Sequence, residues 1–152
     1  MKILIAEDDR AHQEINKILM EDWEFEFDMI SSGRKAFDLA KANEGEYDLC
    51  LMDIDLPGMN GWDAARLIRQ ELKYIPIVAL TANPWFNDKY LEIGMDDYIE
   101  KPYDIDQLYL IVAKSVKVPA SRRQGCRCSN LPQNLGNEED GIFTLFSKGK
   151  NF

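Results

Sequence analysis

Four apolar stretches of this chain each run into a side chain that can hold a cation or handle a phosphoryl group. Lys2-Ile3-Leu4-Ile5-Ala6 leads into Glu7-Asp8-Asp9, and Tyr47-Asp48-Leu49-Cys50-Leu51-Met52 leads into Asp53. Ile75-Pro76-Ile77-Val78-Ala79-Leu80 leads into Thr81, and Asp97-Tyr98-Ile99-Glu100 leads into Lys101-Pro102. Clustered carboxylates repel one another and push at least one pKa upward, a conflict that a divalent cation removes. Mg2+, with Mn2+ as a substitute, takes oxygen ligands, commonly one or two carboxylates plus water and a phosphate oxygen. Asp9 and Asp53 are the expected direct ligands, with Asp8 acting directly or through water and the backbone carbonyl of Asp55 adding an oxygen. Asp53 stands alone at the end of its run, which makes it the expected nucleophile, since a carboxylate can attack phosphorus to give an acyl phosphate. Charge on the transferring group spreads over its three equatorial oxygens. The cation would hold one, the Lys101 ammonium a second and the Thr81 hydroxyl a third.

Positioning these groups falls to alternating strands and helices. Short apolar runs interleaved with helical patterns read as buried parallel strands. After the first strand, Ile15, Ile18, Leu19 and Trp23 recur at helical spacing, predicting a helix over 11–22 with these on its apolar face. Phe25 to Ile30 reads as a second strand at a sheet edge, followed by a helix from Ser32-Gly33 that carries Ala36, Phe37, Leu39 and Ala40 and ends at Asn43-Glu44-Gly45. A turn-rich stretch from Leu56 to Gly61 precedes a third helix with Ala64, Ala65, Leu67 and Ile68. Asn83-Pro84 suits the start of a fourth helix, closed by Gly94. Asp104 and Gln107 form a capping box for a last helix with Leu108, Ile111 and Val112. Five βα units predict an open, doubly wound parallel α/β sheet of flavodoxin-like order 2-1-3-4-5, with helices on both faces. In that order the first and third strands meet at the switch point, which gathers Asp8, Asp9 and Asp53.

Composition narrows the function classes. The chain has 152 residues and a net charge of −9. Residues 1–118 hold 13 Lys/Arg against 24 Asp/Glu, and residues 119–152 hold the remaining 5 against 3. An acidic body argues against direct nucleic-acid binding, which needs a basic patch. No apolar run approaches the roughly 18 residues of a membrane helix, so membrane insertion is not expected. Acids cut the first apolar run below signal-peptide length, and three cysteines build no paired framework, which together read as a cytoplasmic protein.

Singly, each reactive residue has an ordinary structural role as a cap, a turn residue or a loop charge. Their joint placement at four strand ends is the signal. The motifs Glu7-Asp8-Asp9, Met52-Asp53-Ile54-Asp55-Leu56-Pro57-Gly58-Met59-Asn60-Gly61, Leu80-Thr81-Ala82-Asn83 and Gly94-Met95-Asp96-Asp97-Tyr98-Ile99-Glu100-Lys101-Pro102 resemble the receiver domain of two-component response regulators over residues 1–118. The stretch from Leu80 to Pro102 looks closest to receivers associated with hybrid sensor kinases. The resemblance implies that Asp53 accepts phosphate, that Asp8, Asp9 and the Asp55 carbonyl serve Mg2+, and that Thr81 and Lys101 read the phosphate. It also implies an aromatic switch at Tyr98, a cis Lys101–Pro102 peptide, and a changed face on the fourth helix, fifth strand and fifth helix that controls a downstream protein. The donor would be a phosphohistidine on a sensor histidine kinase or histidine phosphotransfer protein. His12, the one histidine, has no nucleotide-binding motif beside it and reads as an ordinary helix-surface residue.

Residues 119–152 read as a flexible tail with no recognisable output domain. Cys126-Arg127-Cys128 lacks the further ligands that structural zinc requires, and Ile142-Phe143-Thr144-Leu145-Phe146 is a short apolar patch. Two other functions compete. Asp53-Ile54-Asp55 also resembles the Asp-x-Asp of haloacid-dehalogenase-type phosphatases, although Asp8-Asp9 precedes it and no cap insertion follows. The other is a receiver fold used as a phosphate-independent interaction module. On the favoured reading the chain is not a turnover enzyme but catalyses its own phosphorylation and slow dephosphorylation.

Overall fold

The computed structural model describes residues 1–83 and 89–115. Strand and helix alternate through β1 (Lys2–Ala6), α1 (Arg10–Asp22), β2 (Glu26–Ile30), α2 (Gly33–Ala42) and β3 (Leu49–Asp53). They continue through α3 (Gly61–Glu71), β4 (Ile77–Thr81), α4 (Tyr90–Ile93), β5 (Asp97–Glu100) and α5 (Ile105–Ser115). All strand pairs are parallel and the order is β2-β1-β3-β4-β5, the flavodoxin-like arrangement expected. Pro84, the Cys126-Arg127-Cys128 motif and the Ile142–Phe146 patch lie outside the described residues. No helix among the described residues is long and apolar enough to cross a membrane.

Strand side chains alternate between faces, so each strand feeds two cores. Ile3, Ile5, Leu49, Leu51, Val78, Leu80 and Ile99 meet α1 and α5 through Leu19, Met20, Leu108 and Val112. Leu4, Ala6, Cys50, Met52, Ile77 and Ala79 meet α2, α3 and α4. Full burial of one such Leu or Ile contributes about 2 kcal/mol. The central strands β3 and β4 are buried at every position. Burial also pushes the Cys50 thiol up to about 12, which keeps it a neutral core residue.

Local signals behave as the sequence dictates in most places. Asp104 and Gln107 cap α5 reciprocally, the Gln107 amide donating to the Asp104 carboxylate at 2.7 Å and the Asp104 amide to Gln107 Oε1 at 3.2 Å. Gly94 ends α4 with φ of 91°. The Lys101–Pro102 peptide is cis. Two expectations need correction. Strand β2 begins at Glu26, because the Phe25 amide is still bonded to the Met20 carbonyl and Glu24 turns the chain with φ of 56°. On α1 the buried residues are Asn16, Leu19 and Met20, whereas Ile15 and Ile18 are 48% and 61% exposed. The helix is rolled so that the line through Asn16, Leu19/Met20 and Trp23 meets the sheet, and the two isoleucines flank it.

At the N-terminal edge of the sheet, Arg69 at the end of α3 binds three segments. Its guanidinium donates to the Gly94 carbonyl, to the Ile75 carbonyl at 2.7 Å and to Asp96 at 2.7 Å. Asp96 also accepts from the Ile77 amide and the Tyr74 hydroxyl. Lys2, at the start of β1, pairs with Asp28 and Glu46 at the same edge.

Two glycines bring backbone against backbone beside the end of β3. A Cβ on Gly61 would lie 2.2 Å from the Asp53 carbonyl oxygen, and one on Gly33 2.2 Å from the Met59 carbonyl oxygen. These contacts leave no room for a methyl group. Gly61→Ala must therefore shift the chain that carries Asp53, at an expected cost of about 3 kcal/mol in urea denaturation. An unchanged denaturation midpoint would show that the contact can relax freely.

Candidate functional site

Strand alternation explains which groups converge. Ile3-Ile5-Glu7, Leu49-Leu51-Asp53 and Ile99-Lys101 each continue one side-chain row on the α1/α5 face, to the last residue of β3 and one residue past β1 and β5. The Glu7 amide still donates to the Ile30 carbonyl at 2.9 Å, so strand geometry continues one residue beyond β1. Thr81 continues the Ile77-Ala79 row on the opposite face, where Tyr98 also packs.

Lys101 sits at the centre. Its ammonium donates to Glu7 Oε2 at 2.7 Å and to Asp53 Oδ2 at 2.7 Å, and lies 3.4 Å from His12 Nδ1. Glu7 is fully buried and Asp53 is 5% exposed. Asp53 Oδ1 accepts the Asp55 amide at 3.0 Å. Burial pushes the Asp53 carboxyl up, but hydrogen bonds from Lys101, the Asp55 amide and Glu7, with the Lys101 charge, hold it below the ordinary carboxylate range. Glu7 goes the other way: burial raises it, the Lys101 bond opposes, and the neighbouring Asp53 charge raises it further. Burial lowers Lys101, while its bonds to Asp53 and Glu7 outweigh that and raise it. The arrangement favours the ionised form of Asp53.

The carboxylates that converge are Glu7, Asp8 and Asp53, whose ligand oxygens lie within 4.8 Å of one another. The acidic cluster thus starts one residue earlier than expected. Asp9 is instead the N-cap of α1, its carboxylate accepting the Ala11 amide at 2.8 Å and the His12 amide at 3.1 Å. Those bonds, the His12 amide's first, hold Asp9 below the ordinary carboxylate range. Thr81 is fully buried, and its Oγ1 accepts the Asn83 amide at 3.0 Å. The Tyr98 ring lies 5.1 Å from the Tyr90 ring. A cleft of about 200 Å3 lined by Ile54, Asp55, Asn60, Trp62 and Asn83 opens beside Asp53. His12, expected on the helix surface, instead reaches the Lys101–Glu7 pair.

The profile of the response regulator receiver domain matches residues 3–113. The chain belongs to the response regulator receiver family. This receiver is 38% identical over 110 residues to the transcriptional regulatory protein CusR of Escherichia coli K12, covering 71% of the chain and 48% of CusR. It is 35% identical over 120 residues to hybrid signal transduction histidine kinase I of Dictyostelium discoideum, covering 73% of the chain and 7% of the kinase. The chain therefore spans about half the length of the first relative and a small part of the second. Among solved structures, the receiver domain of sensor histidine kinase PA1611 from Pseudomonas aeruginosa superposes with a TM-score of 0.68 at 30% identity, covering 77% of this chain and 98% of that one. That protein holds a magnesium ion in its active-site cleft.

In this receiver Lys101 bridges two buried carboxylates. Without it, burial and mutual repulsion both raise the carboxyl pKa values. A carboxyl raised in the folded state contributes stability below its unfolded value, near 4, and loses it as pH climbs through the folded value. Lys101→Met is thus expected to be less stable than the wild type by about 2 kcal/mol near neutral pH, less than for a fully buried pair because Lys101 keeps an exposed edge. The deficit should shrink as pH falls toward about 4.5 in thermal melts. A deficit independent of pH would remove the electrostatic role.

Proposed function

We propose that this receiver accepts a phosphoryl group on Asp53 from a phosphohistidine of a sensor histidine kinase or histidine phosphotransfer protein. The observation that carries this reading is the buried, ionised Asp53 held by Lys101 beside a cluster of hard oxygen donors. Asp53 attacks phosphorus, the P–N bond of the donor breaks as the P–O bond of the acyl phosphate forms, and the released imidazole takes up a proton. The donor set fits a hard cation: Glu7, Asp8, Asp53 and the Asp55 carbonyl would hold Mg2+, or Mn2+ in its place. When bound, the cation supplies charge neutralisation to the phosphoryl oxygens. Asp9 is left out of the set, since its carboxylate is committed to the α1 amides.

The remaining roles belong to the chain's own side chains. Lys101 turns from Asp53 to a phosphoryl oxygen while keeping Glu7. Thr81 Oγ1 accepts from the Asn83 amide, which leaves its O–H to donate to another phosphoryl oxygen. Drawing Thr81 toward Asp53 opens room on the face it shares with Tyr98, whose ring then packs inward and changes the surface of α4, β5 and α5 read by a downstream protein. Exposed Ile15 and Ile18 on α1 offer the donor protein an apolar contact beside the site. Residues 1–118 form the receiver unit on this reading, and a cytoplasmic location follows from its phosphohistidine donor. The phosphatase alternative gains nothing, because the cluster comes from the end of β1 rather than from an acidic pair after Lys101.

Intact mass after incubation with acetyl phosphate and Mg2+ tests the reading. One added phosphoryl group is expected, absent in Asp53→Asn and with a chelator. Incorporation that persists in Asp53→Asn would move the acceptor elsewhere. Rapid multiple turnover of a small phosphate ester would restore the phosphatase.

A further inference from the structure

His12 stands outside every role assigned so far, yet its ring touches the central ion pair. It lies in the first turn of α1, with Nδ1 3.4 Å from Lys101 Nζ and 3.5 Å from Glu7 Oε1, and is 40% exposed. With the ring proton on Nε2, Nδ1 accepts from Lys101. With the proton on Nδ1, that nitrogen lies 3.5 Å from Oε1 of Glu7, whose other oxygen binds Lys101. Both tautomers tie the ring to the same pair.

One turn further along α1, fully buried Asn16 accepts from the Tyr103 hydroxyl at 3.4 Å, while its Nδ2 has no hydrogen-bond partner among the described residues. Gln13 on the same helix donates to the Glu7 carbonyl. The inner edge of α1 therefore meets the Lys101-Pro102-Tyr103 segment on both sides of the proline and meets Glu7 from above. A helix surface normally filled by apolar residues is polar here, at the places where it reaches that segment.

We propose that His12 is a positioning residue for Lys101, and that through it α1 sets how readily the ammonium transfers from Asp53 to an incoming phosphoryl oxygen. An ammonium has three N–H groups, and those of Lys101 face Glu7, Asp53 and His12. The two carboxylate contacts are short and charge-assisted, whereas the imidazole contact is long. His12 is the partner that yields without leaving a buried charge unpaired, so it restrains the ammonium laterally and still lets it turn. Without the ring, Lys101 is held only by the two carboxylates, and water reaches the outer side of the pair.

The inference rests on the phosphoryl-acceptor reading, so its test includes an arm free of phosphoryl chemistry. His12→Leu fills the space without a polar atom, and His12→Gln restores both a donor and an acceptor. The Lys101 Cε and Nζ resonances are compared in the two variants and the wild type at one pH without phosphodonor, alongside the rate of phosphoryl gain from acetyl phosphate and the melting temperature. His12→Leu should move the Lys101 resonances and slow phosphoryl gain by about five-fold, the scale of one modest hydrogen bond. His12→Gln should return both toward wild type, with melting temperatures equal in all three. Lys101 resonances unchanged in His12→Leu, or displaced equally in His12→Gln, would overturn the positioning role. Should the resonances move while even the wild type gains no phosphoryl group, the acceptor reading fails and the contact between His12 and Lys101 stands.

Discussion

One buried ammonium between two buried carboxylates governs the reactive end of this fold. Taking Glu7 and Asp53 out of water costs several kcal/mol each, and their mutual repulsion adds to that. Lys101 offsets both terms with two 2.7 Å contacts. It can do so only because three strands end at one depth with their side-chain rows in phase. Parallel pairing of β1 with β3 brings Glu7 beside Asp53, and β5, two strands from β3, returns Lys101 through the loop that follows Glu100.

The net charge of that triad is negative, which makes the site asymmetric. Asp53 is held ionised while Glu7 retains a proton more readily. A nucleophilic carboxylate must be an anion, and an acceptor oxygen that is already hydrogen-bonded is less free to attack. The same lysine thus favours the ionised form of Asp53 and at the same time occupies one of its oxygens. Thr81 and Tyr98 sit across the sheet from this pair, on the face that carries the row through Ala79.

Much of this was legible in the sequence, and the failures have physical causes. Apolar runs ending in Asp53, Thr81 and Lys101 marked the strands, because a parallel sheet buried on both faces leaves little ambiguity about where a strand stops, and five βα units with right-handed crossovers suggested their order. The run Glu7-Asp8-Asp9 was ambiguous: one acid type serves equally as ligand and as helix cap, and the choice depends on where strand geometry ends. Counting by two from Ile3 and Ile5 would have reached Glu7, the position that continues the buried row. Ile15 and Ile18 misled for a related reason, since helical spacing identifies a stripe but not its rotation when a buried Asn16 lies between the two. His12 was missed because its partners are 5 and 89 residues away, a proximity created by tertiary structure alone.

The ties around Arg69 and Lys2 give the sheet two unlike rims. At the N-terminal rim, guanidinium, carboxylates and backbone carbonyls interlock the segments that lead into β4 and β5 and tie β1 to β2. The opposite rim carries Glu7, Asp53, Thr81 and Lys101. Rigidity and reactivity are thereby placed at opposite ends of the same strands. On the phosphoryl-acceptor reading, charge added at that rim would meet a base already cross-linked by Arg69 and Lys2.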